Sequence, residues 1–194
     1  HAEWCLGHGC DSVTLFGTTG EGASIGIAGR QQMLGAMAGH GIAPALSVTQ
    51  MQAMLRMAFR LGADLATAFR HVNDQLAATL ADDRFITAFI GVLDPRTHRF
   101  EFHSGGQGPI LHLSAATGEC TSHRPTSFPL GAMPLRTLRP AVTLEMRPGD
   151  VVLLISDGVY EYHDPDGQAY GEGRVEAIAR SHGARPMAEL AARI

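Results

Sequence analysis

Asp157 ends the apolar run Val151-Val152-Leu153-Leu154-Ile155-Ser156, and Gly158 follows at once. Such a run reads as a buried strand, a rigid mount that carries one carboxylate to its mouth. A lone carboxylate in that position is costly to desolvate unless a cation or hydrogen-bond donors receive it, so ligation of a hard metal ion is one reading. The other is a turn, because Asp-Gly is a common hairpin pair.

Other candidate groups carry less. Cys5, His8 and Cys10 lie close together, with Cys120 and His123 elsewhere, but the gaps do not match the paired two-residue spacing of a structural zinc site, and ordinary buried thiols are the simpler reading. His40, inside Gly39-His40-Gly41, is placed to act as a general acid or to shape a helix entry, and a loop position between glycines favours the second. The glycine-rich stretch 17–29 lacks the Gly-Lys-Ser/Thr ending of a phosphate loop and reads as a hairpin or lid. Asp82-Asp83 and Asp164/Asp166 read as solvated turn residues.

The elements that must position these groups follow from periodicity. Apolar residues at three- and four-residue steps predict a helix over 44–60, ended by Gly62, and a second over 64–80 with Asp64 as its cap. Met51, Met54 and Met57 lie along the first; helical spacing favours core packing over an adaptable partner surface. The texture then becomes β-branched and aromatic over 85–93, turns at Asp94-Pro95-Arg96-Thr97-His98 and alternates over 99–103, a hairpin signal. Short antiparallel strands are expected at 110–113, 142–146 and 151–155, helices from about 172 to 180 and from Pro186 to the end. Strands, a helix pair, more strands and late helices together predict a layered α+β domain rather than a doubly wound parallel sheet.

With 194 residues, 45% hydrophobic and 18% charged, the chain can bury one sizeable core and is expected to form one domain over 1–194. A formal net charge of -4 supplies no basic footprint for a nucleic-acid backbone or an anionic membrane. No apolar stretch reaches the roughly 18 residues of a membrane span, and three cysteines cannot all pair within one chain, so a cytoplasmic protein is the default expectation.

Several separated motifs add a resemblance. Pro148-Gly149-Asp150, the strand, Ser156-Asp157-Gly158-Val159-Tyr160-Glu161 and the segment from Asp166-Gly167-Gln168 to Gly171-Glu172-Gly173-Arg174 resemble the carboxy-terminal signature of SpoIIE/RsbU-type bacterial phosphatases of the metal-dependent protein phosphatase 2C family. Phe128-Pro129-Leu130-Gly131 is similar to the family's Pro-Leu-Gly segment, and Gly105-Gly106-Gln107-Gly108-Pro109 to its Gly-His-x-Pro turn, with Gln107 in place of the histidine. Phe85-Ile86-Thr87-Ala88 and Gly91-Val92-Leu93-Asp94 resemble the strand before that turn, and Gly39-His40-Gly41 the loop that opens the first long helix.

The resemblance implies a sandwich of two mainly antiparallel sheets flanked by helices, and a site where aspartates hold two Mn²⁺ or Mg²⁺ ions whose bound water attacks phosphorus in line. Asp157 matches the late metal aspartate, Asp11 in Gly9-Cys10-Asp11-Ser12 resembles the early one, and Met37 and Gly158 fall in the backbone-ligand neighbourhood. The bridging aspartate belongs at position 36 of Gly35-Ala36-Met37-Ala38-Gly39-His40-Gly41, where Ala36 supplies only a methyl group. The family's last acidic ligand lies on a strand beyond the end of this chain. Two functions follow from the resemblance. One is a serine/threonine protein phosphatase acting on an anti-sigma-factor antagonist or a similar phosphoprotein in bacterial signalling. The other is an inactive scaffold, without metal, that binds a sigma-factor regulatory protein. The family also implies an output domain of a longer polypeptide with an upstream receiver or sensor domain, a homodimer as one assembly, and no nucleic-acid partner or membrane insertion.

Overall fold

The computed structural model describes residues 14–15, 23–27, 30–37, 42–80, 84–155, 157–163, 166–183, 190 and 193. The chain divides into two compact units, a larger one of residues 21–107 and 125–145 and a smaller one of residues 1–20, 108–124 and 146–194. Each unit has its own sheet.

The larger unit holds β2 (Ala23–Ile27), β3 (Arg30–Met37), β4 (Thr87–Asp94), β5 (Arg99–Gly105) and β8 (Val142–Glu145) in the order β2-β3-β4-β5-β8, every pair antiparallel. β2 and β3 form a hairpin across Ile27 and Arg30, where the sequence predicts a hairpin or lid. The β4–β5 hairpin turns where Asp94-Pro95 predicts it, with Arg96 N–H donating to Asp94 Oδ1 at 3.0 Å. Two helices, α1 (Ile42–Arg60) and α2 (Leu65–Thr79), lie between β3 and β4 in sequence. Asp64 caps α2 as expected, accepting from Thr67 N–H at 2.7 Å.

Strand alternation divides the sheet's side chains into two sets. Ala88 and Ile90 join Met51, Leu55, Phe69 and Val72 of the helices in one core cluster. Phe89, Phe100 and Phe102, on the other face, pack with ring centroids 4.8 to 5.9 Å apart. Each such side chain, fully buried, contributes about 1.5–3 kcal/mol. Met51 is fully buried and Met54 packs against the core, whereas Met57 is exposed, so the core reading of the methionine row holds for two of its three members.

The smaller unit orders its strands β1-β9-β6-β7: β1 (Thr14–Leu15), β9 (Val151–Leu154), β6 (Ile110–Leu113) and β7 (Cys120–His123). β6 pairs antiparallel with both β9 and β7, while β1 pairs parallel to β9, the one parallel ladder among the described strands. α3 (Asp157–Tyr160) and α4 (Glu172–His182) complete this unit, and Val175 and Ala179 of α4 pack on Leu111, Leu113, Val151 and Leu153. Cys120 points into the same cluster, an ordinary buried thiol. The helix expected from Pro186 falls almost wholly outside the described residues, as do Cys5, His8, Cys10, His40, Asp82-Asp83 and Asp164. No helix among the described residues is long and apolar enough to cross a membrane. The fold is α+β with two mainly antiparallel sheets, as the sequence predicts.

Candidate functional site

β9 is an interior strand of its sheet, and Val151, Leu153 and Leu154 in it and Ile155 just after it are all buried. The backbone leaves β9 and enters α3 with Asp157 as its first helical residue. Asp157-Gly158 is therefore a strand-to-helix junction and not the tight hairpin turn that is the alternative reading of this pair. The backbone at position 157 thus lies between a packed strand on one side and a helical turn on the other.

Tyr160 ties that turn down. Its hydroxyl donates to Gly108 C=O at 3.0 Å, in the Gly-x-Pro turn, and its own carbonyl accepts from Gly171 N–H at 2.8 Å. Tyr170 N–H donates to Tyr162 C=O at 2.7 Å, closing the neck of the 160–171 loop, and Tyr160 and Tyr170 both pack on the core of the smaller unit. Sequence reasoning assigned Tyr160 no role beyond its place in the motif, because a carbonyl 52 positions away leaves no local signal.

Asp150 of Pro148-Gly149-Asp150 is a different kind of acid. Nearly buried, it accepts from Arg147 N–H and Ala115 N–H, both at 2.9 Å, with His112 Nε2 at 3.4 Å. Burial pushes this carboxyl up, but the two amide bonds and His112 outweigh burial and hold it below its ordinary range. Asp150 thus pins the turn before β9 to the turn after β6, a structural task.

In the larger unit, position 36 is the penultimate residue of β3, opposite Ala88 of β4, and Met37, opposite Thr87, is the last. The register leaves no carboxylate at this position on either strand. Gln107 follows β5, and Ser104 Oγ donates to its carbonyl. Gly106, before it, has φ 72° and lies so close to Pro129 that a Cβ would come within 2.5 Å of the proline ring, so glycine is required there. This contact locks the Gly-Gly-Gln turn to the Pro-Leu-Gly segment.

Asp157 and Gly158 belong to the smaller unit and Ala36 and Met37 to the larger, while Asp11 lies outside the described residues. Asp11 and Asp157 offer the hard oxygens that Mn²⁺ or Mg²⁺ selects, but position 36 offers none, and no group of three or more His, Cys, Asp or Glu that could hold an ion occurs among the described residues. At position 36 the donor set does not fit a two-ion centre. Asp166 lies in the exposed turn expected of it.

Comparison with known proteins places this architecture. The model of the family "Stage II sporulation protein E (SpoIIE)" matches residues 31–194. No curated protein matches the sequence. Among solved structures, the RsbU and RsbW domains of Rv1364c from Mycobacterium tuberculosis superpose with a TM-score of 0.72 at 23% identity, over 90% of this chain and 50% of that one. The PP2C phosphatase domain of SpoIIE from Bacillus subtilis, with a fragment of its regulatory domain, gives 0.71 at 15% identity, over 88% and 50%. RsbX in complex with magnesium gives 0.63 at 16% identity, over 87% and 74%. The chain spans half the length of the first two of these chains. The family match over most of the chain and the shared fold agree: the chain belongs to the SpoIIE family and has the fold of RsbU-type protein phosphatase 2C domains.

Proposed function

We propose that this chain is a SpoIIE/RsbU-type serine/threonine protein phosphatase domain of bacterial signalling whose turnover is impaired at position 36. It recognises a phosphoprotein regulator such as an anti-sigma-factor antagonist, and it holds Mn²⁺ or Mg²⁺ weakly through Asp11 and Asp157. The observation that carries the reading is Ala36, seated in the β3–β4 register opposite Ala88 within the segment that the family model matches. Magnesium in the related RsbX structure supports the choice of a hard divalent ion. When bound, such ions supply a water of lowered pKa and neutralise charge on the phosphoryl oxygens. This chain's own contribution is the mount of Asp157: packed β9, the α3 turn and the Tyr160 tether.

Ala36 and Gln107 also favour a second reading, in which the fold serves as a scaffold that binds a sigma-factor regulatory protein without chemistry. In either case we propose that the domain is the output module of a longer cytoplasmic protein with a sensor or receiver domain upstream. Mn²⁺-dependent hydrolysis of a phosphoserine peptide, with Asp157→Ala as control, separates the readings. Slow turnover abolished by the control supports the impaired enzyme; no turnover at any Mn²⁺ concentration refutes it and leaves the scaffold.

A further inference from the structure

β5 carries one imidazole into the helix-facing core of the larger unit. His103 is fully buried, stands opposite Ile90 of β4, and lies against Phe69 of α2 with ring centroids 5.0 Å apart. Its Nδ1 is 3.2 Å from Thr126 Oγ1, and its Nε2, buried, has no hydrogen-bond partner. Thr126 Oγ1 also receives Ser104 N–H at 3.0 Å and lies 3.2 Å from Ser104 C=O.

A hydroxyl has one proton and two lone pairs. The Thr126 cluster leaves no donor stranded in a single arrangement. The hydroxyl proton goes to Ser104 C=O, and the lone pairs accept from Ser104 N–H and from His103 Nδ1–H. His103 is then the neutral Nδ1–H tautomer, and Nε2 is a bare, buried lone pair. The opposite tautomer would bury an N–H with no acceptor, the costlier defect.

Thr126 is not part of β5. It lies near the start of an irregular strap, residues 125–141, which runs from the end of β7 to β8 and carries the Pro129-Leu130-Gly131 segment and the exposed Phe128. Three further bonds hold the start of the strap on β5: Thr126 N–H and Ser127 N–H donate to Ser104 C=O, and Gly106 N–H donates to Ser127 C=O, each at 3.0 Å.

A proton on Nε2 would be a buried cation with nothing to receive it. The carboxylates on the elements packed around β5 are Asp74 on α2, Asp94 on β4 and Glu145 on β8, with Glu101 on β5 itself. Asp74 is bound by Leu135 N–H and Asn73, Asp94 by Arg96 N–H, and Glu101 pairs with Arg99. The cations are Arg70 and His71 on α2 and Arg136 and Arg139 on the strap, all exposed. None of these groups acts on the imidazole; burial is the only cause of its displacement from the ordinary range, down to about 4.

We infer that His103 and Thr126 form a proton-sensitive latch, in which the neutral imidazole holds the start of the strap on β5 and acid favours release of the strap while the β4–β5 ladder stays paired. An opening that admits water to the imidazole lets it titrate in its ordinary range near 6.5, so such an open form gains about tenfold per pH unit from there down to about 4 and then levels off. The whole gain is about 300-fold, the difference of the two values taken as a power of ten.

Two measurements on the full chain test the latch. Imidazole ¹⁵N shifts report the tautomer and the titration of His103. Amide exchange between pH 3 and 7, corrected for intrinsic rate, reports the opening of Thr126, Ser127 and Gly106 against the β4–β5 ladder. The latch predicts an Nδ1–H imidazole titrating at about 4, acid-dependent exchange confined to the strap, and strap exchange independent of pH in His103→Leu. Thr126→Val, which keeps the chain's volume and removes the hydroxyl, raises strap exchange at neutral pH. An Nε2–H spectrum, titration near 6.5, strap and ladder opening together, or wild-type pH dependence surviving in His103→Leu each overturns it.

Discussion

Asn73 is the most consequential polar residue that the sequence hides, and Asn73→Leu exposes its role. The side chain is 1% exposed in the middle of α2. Its Nδ2 donates to Met133 C=O at 3.0 Å and to Asp74 Oδ1 at 3.1 Å, and its Oδ1 accepts from Gly131 N–H at 3.1 Å. Asp74 Oδ1 in turn accepts Leu135 N–H at 2.9 Å. Leucine has nearly the same volume but leaves the Gly131 amide and the Met133 carbonyl without their side-chain partner. Each stranded group costs about 1–3 kcal/mol, and the added apolar burial returns about 1 kcal/mol, so a net loss of about 3 kcal/mol is expected. With a urea slope of about 1.5 kcal/mol/M for a unit of this size, the midpoint falls by about 2 M at unchanged slope. Asp74→Ala removes only the acceptor of Leu135 N–H and its bond to Asn73, and should cost about 1–1.5 kcal/mol; because the two residues touch, the double variant should lose less than the sum. A loss below about 1 kcal/mol for Asn73→Leu would refute the claim that this side chain clamps the strap to α2.

Two other perturbations are equally direct. His103 has its folded pKa depressed from 6.5 to about 4, so the unfolded state binds the extra proton first; stability is full above 6.5 and falls as pH drops toward 4, by about 3 kcal/mol at 1.36 kcal/mol per unit. Urea midpoints of the larger unit across that window check the sign, and His103→Leu should flatten the curve there, whereas Asp150, also depressed, acts only as pH falls below the ordinary carboxylate range. Gly131 has φ 83°, and a Cβ on it would lie 2.7 Å from Leu80 Cδ1 and 3.3 Å from Leu76 Cβ, so Gly131→Ala should cost about 2 kcal/mol in thermal or urea unfolding.

Which features were legible follows from how local their causes are. The helix pair, the Asp64 cap and the β4–β5 turn are written in periodicity and short-range side-chain chemistry, and they occur within a few residues of where the sequence places them. β7 was missed because Cys120-Thr121-Ser122-His123 carries a single core residue and pairs only on one side. The parallel β1–β9 ladder was missed as well: nothing local to Thr14-Leu15 names a partner so far along the chain. The strap looks like loop in sequence, since the bonds that order it come from Asn73, Asp74 and Ser104, far away in the chain. Around the candidate site the motif glycines were legible because Gly106, Gly131 and Gly149 sit at turns of positive φ. The structural task of Asp150 was not legible, because Ala115 N–H and His112, which it engages, lie 35 and 38 positions away in the chain.

The central claim is that the carboxylate missing at position 36 is what weakens metal binding by Asp11 and Asp157 of this domain. Calorimetric titration of Mn²⁺ into the wild-type chain and into Ala36→Asp tests it most directly, with Ala36→Asp/Asp157→Ala as control. The account predicts weak binding by the wild type, binding at least about tenfold tighter in Ala36→Asp, since each tenfold is 1.4 kcal/mol and an added hard-oxygen ligand would contribute at least that, and loss of the gain in the control. Tight two-ion binding by the wild type, or no gain on restoring the aspartate, contradicts it.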